Sequence, residues 1–489
     1  MSSDLDIVVH KKDDVYLSIE CEANIAHDLS DYFTFKVPGY KFMPAYRSRA
    51  WDGKIRLFNA FGGELYCGLL PYVEEFAERH NLTIESLPLN RTTTPEETGK
   101  FFKGLNPHVN EKPIEPYDYQ MEALHHGINH KRALMISPTS SGKSLMIYAL
   151  VKWYLEKIDN KILIIVPTTS LVEQLHKDFG EYSQSELDAH KIYAGKDKDT
   201  NKRVVITTWQ SIYKLKKDWF KQFGAVIGDE AHNFKAKSLT SILTKMTECE
   251  YKFGFTGTLD GTQTHKLVLE GLFGPIHKVT TTKALMDTET IAKLHIEAVT
   301  LGYSEAEKKE TKGMIYKDEI DWLIKHPKRN KFICDLAVSR EKNTLILYQF
   351  VEKHGKKLHK QLVKLAPDRP VFFVSGEVKT EVREEIRAIT ETSTNAIIVA
   401  SYGTFSTGIN IRNLHNIIFG HPAKSRIRNL QSVGRVLRLD RGKDKATLFD
   451  ISDDLSWKKH KNFSLKHFFE RVKIYNSEKF DYKLRSIKL

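Results

Sequence analysis

Ala133-Leu134-Met135-Ile136, then Ser137-Pro138-Thr139-Ser140-Ser141-Gly142-Lys143-Ser144, then Leu145-Met146-Ile147, is the stretch on which the fold turns. A short apolar run leads into a tight polar loop, and the loop into apolar residues of helical character. Strand, loop, Gly-Lys-Ser and helix is the arrangement a triphosphate needs, because loop N–H groups and the helix N-terminus cradle phosphate oxygens. Thr139, Ser140, Ser141 and Gly142 form the cradle, Lys143 reaches the outer phosphates, and the Ser144 hydroxyl ligates Mg2+. Ser137 stands where the G-x-x-x-x-G-K-[ST] pattern has its first glycine.

Outward from this point the same texture recurs. Apolar runs at Ala133–Ile136, Ile162–Val166, Val204–Ile206, Ala225–Ile227 and Lys252–Phe255 are each followed by a polar turn and a helical pattern. A second set lies at Thr344–Tyr348, Val371–Val374, Ala396–Val399, Asn416–Phe419 and Ala446–Phe449. Continuous apolar strands separated by helices are the mark of parallel sheets covered on both faces. Two sets of five predict two doubly wound α/β domains, joined within the charged stretch Thr280–Arg329.

The fourth strand of the first set, Ala225-Val226-Ile227, runs through Gly228 into Asp229-Glu230-Ala231-His232. That puts two carboxylates at the C-terminal end of a buried strand, the edge where α/β sheets bind ligands. Asp229 is suited to hold Mg2+ and Glu230 to orient and deprotonate an attacking water. In the second set, Gln431, Arg435 and Arg438 share one helical face at spacings of four and three. Such a face serves to neutralise charge on a γ-phosphate or to lie on a nucleic-acid backbone, and spacing alone leaves both open.

Composition bounds the rest. The 489 residues suffice for about three domains, and 41% hydrophobic with 28% charged residues is ordinary globular composition. Cys21, Cys67, Cys249 and Cys334 are scattered with no C-x-x-C pair, so neither a zinc site nor a disulfide framework is expected. The opening residues lack a basic segment followed by an apolar stretch, and no apolar run nears the ~20 residues of a membrane span. A soluble cytoplasmic protein without membrane contact is the expectation. The net charge is +13. Residues 1–110 hold 12 Lys and Arg against 16 Asp and Glu, whereas residues 424–489 hold 18 against 8. The positive end is either an electrostatic footprint for phosphate backbones or a solvated tail.

Taken in order, these segments resemble the motif set of the superfamily 2 helicases, over about residues 115–455. Gln120 matches the adenine-reading Q motif and Ser137–Ser144 motif I. Val166-Pro167-Thr168-Thr169-Ser170-Leu171 matches motif Ia, Thr207-Thr208-Trp209-Gln210-Ser211 motif Ib, and Asp229–His232 a DEAH-type motif II. Thr256-Gly257-Thr258 matches motif III and Leu345–Phe350 motif IV. Ser401–Asn410 matches motif V, with Asn410 where Asp is commoner, and Gln431–Arg438 matches motif VI. A narrower resemblance, to the UvsW-type recombination helicases of tailed phages, rests on Gly39-Tyr40-Lys41-Phe42, Trp51–Leu57, Ile162–Thr169 and Val399–Gly403.

The resemblance implies a fold class: α/β, with two tandem RecA-like doubly wound parallel-sheet domains and a small N-terminal α+β domain. The expected limits are 1–90 for the N-terminal domain, 91–112 for a linker and 113–283 for the ATP-binding domain. The helicase C-terminal domain then takes 284–455 and a basic helical tail 456–489. The resemblance further implies ATP and Mg2+ as cofactors, with Lys143, Asp229, Glu230, Gln431, Arg435 and Arg438 catalytic. Gln120, Gly408 and Asn410 join the loop on the nucleotide. His232, Thr256 and Thr258 couple hydrolysis to strand movement. Thr168, Thr208, Trp209, Tyr348, Ser375, Ser401 and Thr404 are the nucleic-acid candidates. Ser and Thr hydroxyls suit backbone contacts without sequence preference. Trp209 either stacks on a base or packs in the core.

The implied activity is ATP-driven work on branched DNA: fork regression, Holliday-junction branch migration and removal of displacement or RNA–DNA loops. Expected partners are forked or branched DNA, single-strand/duplex junctions and RNA–DNA hybrids, with the chain a monomer or weak oligomer. If phage-encoded, it works in the host bacterial cytoplasm. In Tyr40–Phe58, aromatics interleave with Lys41, Arg47, Arg49, Lys54 and Arg56, which suits a grip on a DNA arm or a turn packing Trp51 into a small core. The rival readings are an RNA helicase, the motor subunit of a restriction-type translocase, and a DNA-binding protein with an inactive ATPase.

Overall fold

The computed structural model describes residues 5–88, 93–193, 195–235, 237–259, 262–408, 411–421, 434, 437 and 443–489. The chain divides into two compact units whose main boundary falls between Thr280 and Thr281.

The first unit begins with a four-stranded sheet in the order β5-β2-β1-β6, from β1 (Ile7–Lys11), β2 (Tyr16–Cys21), β5 (Glu64–Tyr66) and β6 (Ile84–Glu85). β3 (Thr34–Lys36) and β4 (Lys54–Arg56) pair as a separate ribbon. This small domain is seated on the helix Gln263–Phe273 of the α/β domain that follows. Leu267 of that helix lies in the N-terminal core, and the Tyr72 hydroxyl donates to Glu270 Oε2 at 2.7 Å. Gly68 passes so close that a Cβ there would sit 1.9 Å from the Glu270 carbonyl oxygen. Within the expected linker, residues from Thr94 onward form a capped helix and a ribbon. Helix Pro95–Leu105 is opened by a Thr94–Glu97 capping box and buries Phe102 in the core of the α/β domain. Its Thr- and Glu-rich start reads as loop by composition but is a helix start by mechanism. A two-residue ribbon, β7 (His108–Val109) with β8 (Lys112–Pro113), completes the connection.

The α/β domain carries β9 (Arg132–Ile136), β10 (Lys161–Val166), β11 (Ala189–Ile192), β12 (Val204–Thr208), β13 (Phe223–Asp229), β14 (Tyr251–Thr256) and β15 (Ile276–Lys278). All are parallel, in the order β11-β12-β10-β13-β14-β9-β15. Alternate strand residues enter two separate cores. Ile162, Ile164, Ile206, Ala225 and Ile227 face one, and Leu163, Ile165, Val205 and Val226 the other. Successive side chains point to opposite faces, so covering both faces requires the unbroken apolar runs of the sequence. β11 and β15 escaped that reading because, as edge strands, they carry His and Lys.

The second unit repeats the plan. β16 (Lys293–Gly302), β17 (Thr344–Tyr348), β18 (Val371–Val374), β19 (Ile397–Ser401), β20 (Asn416–Phe419), β21 (Lys445–Asp454) and β22 (Tyr482–Lys488) form an all-parallel sheet ordered β18-β19-β17-β20-β21-β16-β22. β16 occupies part of the stretch read as interdomain connection, and pairs with β21 and β22. Its polar residues His295 and Glu297 are partly buried, and Glu297 meets His295 and Arg485.

The expected basic tail is corrected as well, since it is part of this domain. Helix Phe463–Ser477 packs onto β21 through Leu465, Phe468 and Tyr475, and β22 then extends the sheet. Wholly buried Arg471 on that helix pairs with Asp450, which also accepts from the Tyr475 hydroxyl. Glu319 caps the helix start, accepting from Phe463 N–H and Ser464 N–H at 2.8 and 2.7 Å. Most lysines of the segment point outward, so a basic composition conceals an integral element. Among the described residues no helix is long and apolar enough to cross a membrane.

Candidate nucleotide and nucleic-acid site

In-register pairing brings the motifs of the first α/β domain to one edge. Thr256 pairs with Ile136, Asp229 with Phe255, and Val166 with Thr208. Read across the C-terminal strand ends, the order is Thr208, Thr168, Asp229, Thr256 and the loop after Ile136. The phosphate loop and Thr256 lie on one half of the edge and Thr168 and Thr208 on the other, with Asp229 between.

The loop is held open for phosphate by backbone geometry. Gly142, which caps helix Lys143–Lys157, has φ +79°, and Ser140 has φ +70°. A Cβ on Gly142 would also lie 2.2 Å from Gln120 Nε2, so the Gln120 amide rests directly on the loop's glycine. Gln120 Oε1 accepts from Tyr117 N–H at 3.0 Å. The Ser141 hydroxyl donates to the Pro138 carbonyl at 2.7 Å, closing the loop at its base. Lys143 Nζ donates to the Ser137 carbonyl at 3.3 Å, a weak partner that an anion displaces.

Glu230 follows β13 at φ +50°, a left-handed turn that separates its carboxylate from that of Asp229. Its N–H donates to Asp229 Oδ1 at 2.9 Å. Burial, then repulsion from Glu230, pushes the Asp229 carboxyl up to about 6, against the pull of Lys143. The Ser144 hydroxyl and the Asp229 carboxylate are hard oxygen donors, the set Mg2+ prefers, so these residues fit the implied cation.

His232 Nδ1 stands 3.3 Å from Glu230 Oε2 and 3.0 Å from Thr256 Oγ1. Thr256 Oγ1 donates to the Thr258 carbonyl at 3.1 Å, so its lone pair receives the His232 Nδ1–H. Glu230, His232, Thr256 and Thr258 therefore form one polar chain from the acid pair to the next strand end.

The Thr168–Thr208 half of the edge opens a cavity of about 650 Å3. Thr168 and Thr208 line it, with Tyr193, Lys196 and Lys198 of the β11–β12 loop and exposed Gln210. Those last four were not singled out in the sequence; lysine, aromatic and amide at a motif Ia/Ib edge are a signal visible only once β11 is recognised. Thr168 caps helix Thr169–Tyr182, and Thr208 Oγ1 meets Ser211 Oγ at 2.9 Å. Trp209 is partly buried: its ring packs against the inner cluster and meets Tyr213 edge-on at 5.7 Å.

In the second domain, Tyr348, Ser375 and Ser401 stand at or just beyond the ends of the neighbouring strands β17, β18 and β19. Ser401 Oγ and Thr404 Oγ1 lie 2.7 Å apart. Tyr348 departs from expectation. Its ring is fully buried, stacked on Phe373, with the hydroxyl donating to the Val374 carbonyl, so it shapes the edge from inside. Ser375 is likewise buried. Gly408 ends the helix Tyr402–Gly408, and Asn410, Gln431, Arg435 and Arg438 lie outside the described residues.

A phosphate loop, a DEAH acid pair and a Thr-Gly-Thr turn on adjacent parallel strand ends, followed by a second sheet of the same order, define a superfamily 2 helicase. Comparison with known proteins agrees along the chain. The model for the DNA helicase UvsW N-terminal domain matches residues 6–85, that for the type III restriction enzyme res subunit 113–261, and that for the helicase conserved C-terminal domain 328–440. The ATP-dependent DNA helicase uvsW of Enterobacteria phage T4 is 36% identical over 510 aligned residues, covering 99% of this chain and 100% of that protein. The crystal structure of T4 UvsW aligns over 99% of this chain and 100% of its own at 35% identity, with a TM-score of 0.54. A DNA 3'-5' translocase, XPB2 of Sulfurisphaera tokodaii, is 23% identical over 81% of this chain and 91% of its own length. The chain belongs to the UvsW family of DNA helicases, and is an ATP-dependent helicase.

Proposed function

We propose that this helicase works on branched DNA, regressing forks, migrating Holliday junctions and removing displacement and RNA–DNA loops. The observation that supports this most is a basic, aromatic lobe on an N-terminal domain that is packed on helix Gln263–Phe273 of the ATP-binding domain. That domain carries a lobe in which Lys41, Tyr46, Arg47, Arg49 and Trp51 line a cavity of about 480 Å3. Between Lys36 and Arg56 the lobe has six Lys and Arg against the single acid Asp52, with Phe42 77% exposed. Basic and aromatic groups on one exposed lobe suit the backbone and end-bases of a DNA arm.

In this reading Lys143 and the loop N–H groups bind the ATP phosphates, with Gln120 placed at the adenine side. Ser144 and Asp229 hold Mg2+, which when bound neutralises phosphate charge. Glu230 orients the attacking water and takes its proton, and His232 relays the change at the acid pair to Thr256. Thr168, Thr208, Ser401 and Thr404 hold the strand backbone, and the motif VI residues Gln431, Arg435 and Arg438 complete the charge stabilisation.

Steady-state ATPase without nucleic acid, and with single-stranded DNA, duplex, four-way junction and matched RNA, tests the reading. Strongest stimulation by junction or fork, with branch migration lost in Glu230→Gln, is the expected result. Stimulation by RNA alone sinks the DNA-branch assignment and favours the RNA-helicase reading.

A further inference from the structure

The Ser144 hydroxyl has two partners that the motif set does not account for. Its Oγ lies 2.8 Å from the Tyr182 hydroxyl, and the Asp178 carboxyl, which burial pushes up, is drawn back toward its ionised form by the same Ser144 side chain. Asp178 and Tyr182 are four residues apart on helix Thr169–Tyr182 and so share one face. That face is fixed against the phosphate-loop helix by ring packing: Tyr148 lies 5.6 Å from Phe179 and 5.5 Å from Tyr182, centroid to centroid. Tyr148 and Phe179 are fully buried, so the two polar groups are held at Ser144 by the core.

Proton bookkeeping gives the arrangement a purpose. A serine hydroxyl has one proton and two lone pairs. An ionised carboxylate only accepts, so the Ser144 proton goes to Asp178. The Tyr182 hydroxyl then donates to one Ser144 lone pair. One lone pair remains, and a hydroxyl that ligates a cation must present a lone pair and keep its proton away. The two partners leave Ser144 in that state before any cation arrives.

We propose that Asp178 and Tyr182 are positioning residues for the divalent cation, orienting the Ser144 hydroxyl so that its free lone pair faces the phosphate loop. The inference rests on the reading of Ser144 as a cation ligand. It adds a partner shell supplied by the helix that Thr168 caps, so one helix bears a strand contact at its start and the cation's supports further on.

The test is a Mg2+ titration of the full-length chain with a slowly hydrolysed ATP analogue, read by fluorescence, for wild type, Tyr182→Phe, Asp178→Asn and Ser144→Ala. Nucleotide affinity in EDTA and melting temperature are measured in parallel. Loss of an outer partner typically costs about 10–100-fold in metal affinity. Tyr182→Phe and Asp178→Asn are therefore expected to raise the half-saturating Mg2+ concentration at least about tenfold, with affinity in EDTA unchanged. Asp178→Asn weakens the hold on the Ser144 proton, because a neutral amide oxygen still accepts but less strongly than a carboxylate, whereas Tyr182→Phe deletes its partner outright. Should Asp178→Asn fail to fold, Tyr182→Phe decides alone. An unchanged Mg2+ midpoint in the folded variants, with Ser144→Ala impaired, overturns the inference. An unchanged midpoint in Ser144→Ala overturns the ligand reading beneath it.

Discussion

Counting β9–β15 and β16–β22 each as one to seven, both sheets run 3-4-2-5-6-1-7. The same topological addresses carry different chemistry. The first strand of the earlier sheet, β9, feeds the phosphate loop, whereas its counterpart β16 feeds Tyr303 and the Ser304–Glu307 capping box. The fifth strand β13 ends in Asp229 and Glu230. Its counterpart β20 ends before Gly420, whose carbonyl accepts from buried Arg329 at 2.9 Å. On the sixth strand, β14 leads to Thr256-Gly257-Thr258, whereas β21 carries Asp450 and Asp453. Both are fully buried, paired with Arg471 and Arg329 respectively. One sheet keeps its carboxylates at the C-terminal strand edge. The other turns them inward to fasten its surrounding helices. Topology supplies the addresses, and side-chain choice assigns catalysis or architecture.

The comparison breaks most visibly at the fifth strand. Glu230→Gln is expected to lower kcat for ATP by about 10²–10⁴-fold, the range of general-base loss, with the nucleotide still bound. A phosphate-release assay beside equilibrium nucleotide binding checks both halves, and residual activity within a factor of a few of wild type would remove Glu230 from its role.

In the second sheet, Arg471→Met leaves Asp450 buried without its cation and is expected to cost about 3–5 kcal/mol of stability. Asp450→Leu combined with Arg471→Met should recover most of that loss, since an apolar pair replaces the ion pair. Denaturant melts of the single and double variants measure this, and a double variant as unstable as the single would mean the pair does more than fasten the helix.

A smaller contrast concerns Lys252, which β14 buries without a carboxylate partner. It donates to the Met246 carbonyl at 2.9 Å, and burial, then Arg132, pushes its ammonium down to about 8. Between about 8 and the ordinary lysine value of 10.5 the unfolded chain holds a proton that the folded chain lacks. Stability should therefore rise with pH across that window, by roughly 1–3 kcal/mol. Lys252→Met removes that slope, and melts of both proteins from pH 7.5 to 10 compare them directly.

The smallest effect is expected at the connection read as a linker. Thr94→Ala removes the capping box of helix Pro95–Leu105 and should cost about 1 kcal/mol. An unchanged melt would return that segment to the status of a loose connection.

The central strands of both sheets were legible because a strand covered on both faces must be apolar throughout. The positions of Lys143 and Ser144 at a helix start and of Asp229 and Glu230 at a strand end were legible because the local strand, loop and helix pattern is written in consecutive residues. β11, β15 and β22 were not, since edge strands carry lysine and histidine. Tyr348 was misread because a tyrosine at a strand end looks the same in sequence whether its hydroxyl meets a ligand or the Val374 carbonyl.

By itself, then, the sequence determined the two α/β domains, the nucleotide loop and the acid pair, all features encoded within a few consecutive residues. Tertiary structure alone decided that residues 456–489 complete a sheet and that the N-terminal domain sits on helix Gln263–Phe273. It also decided that Asp178 and Tyr182 reach Ser144. Those facts join residues 34 or more positions apart, and no local periodicity records which of two distant surfaces will exclude water from between them.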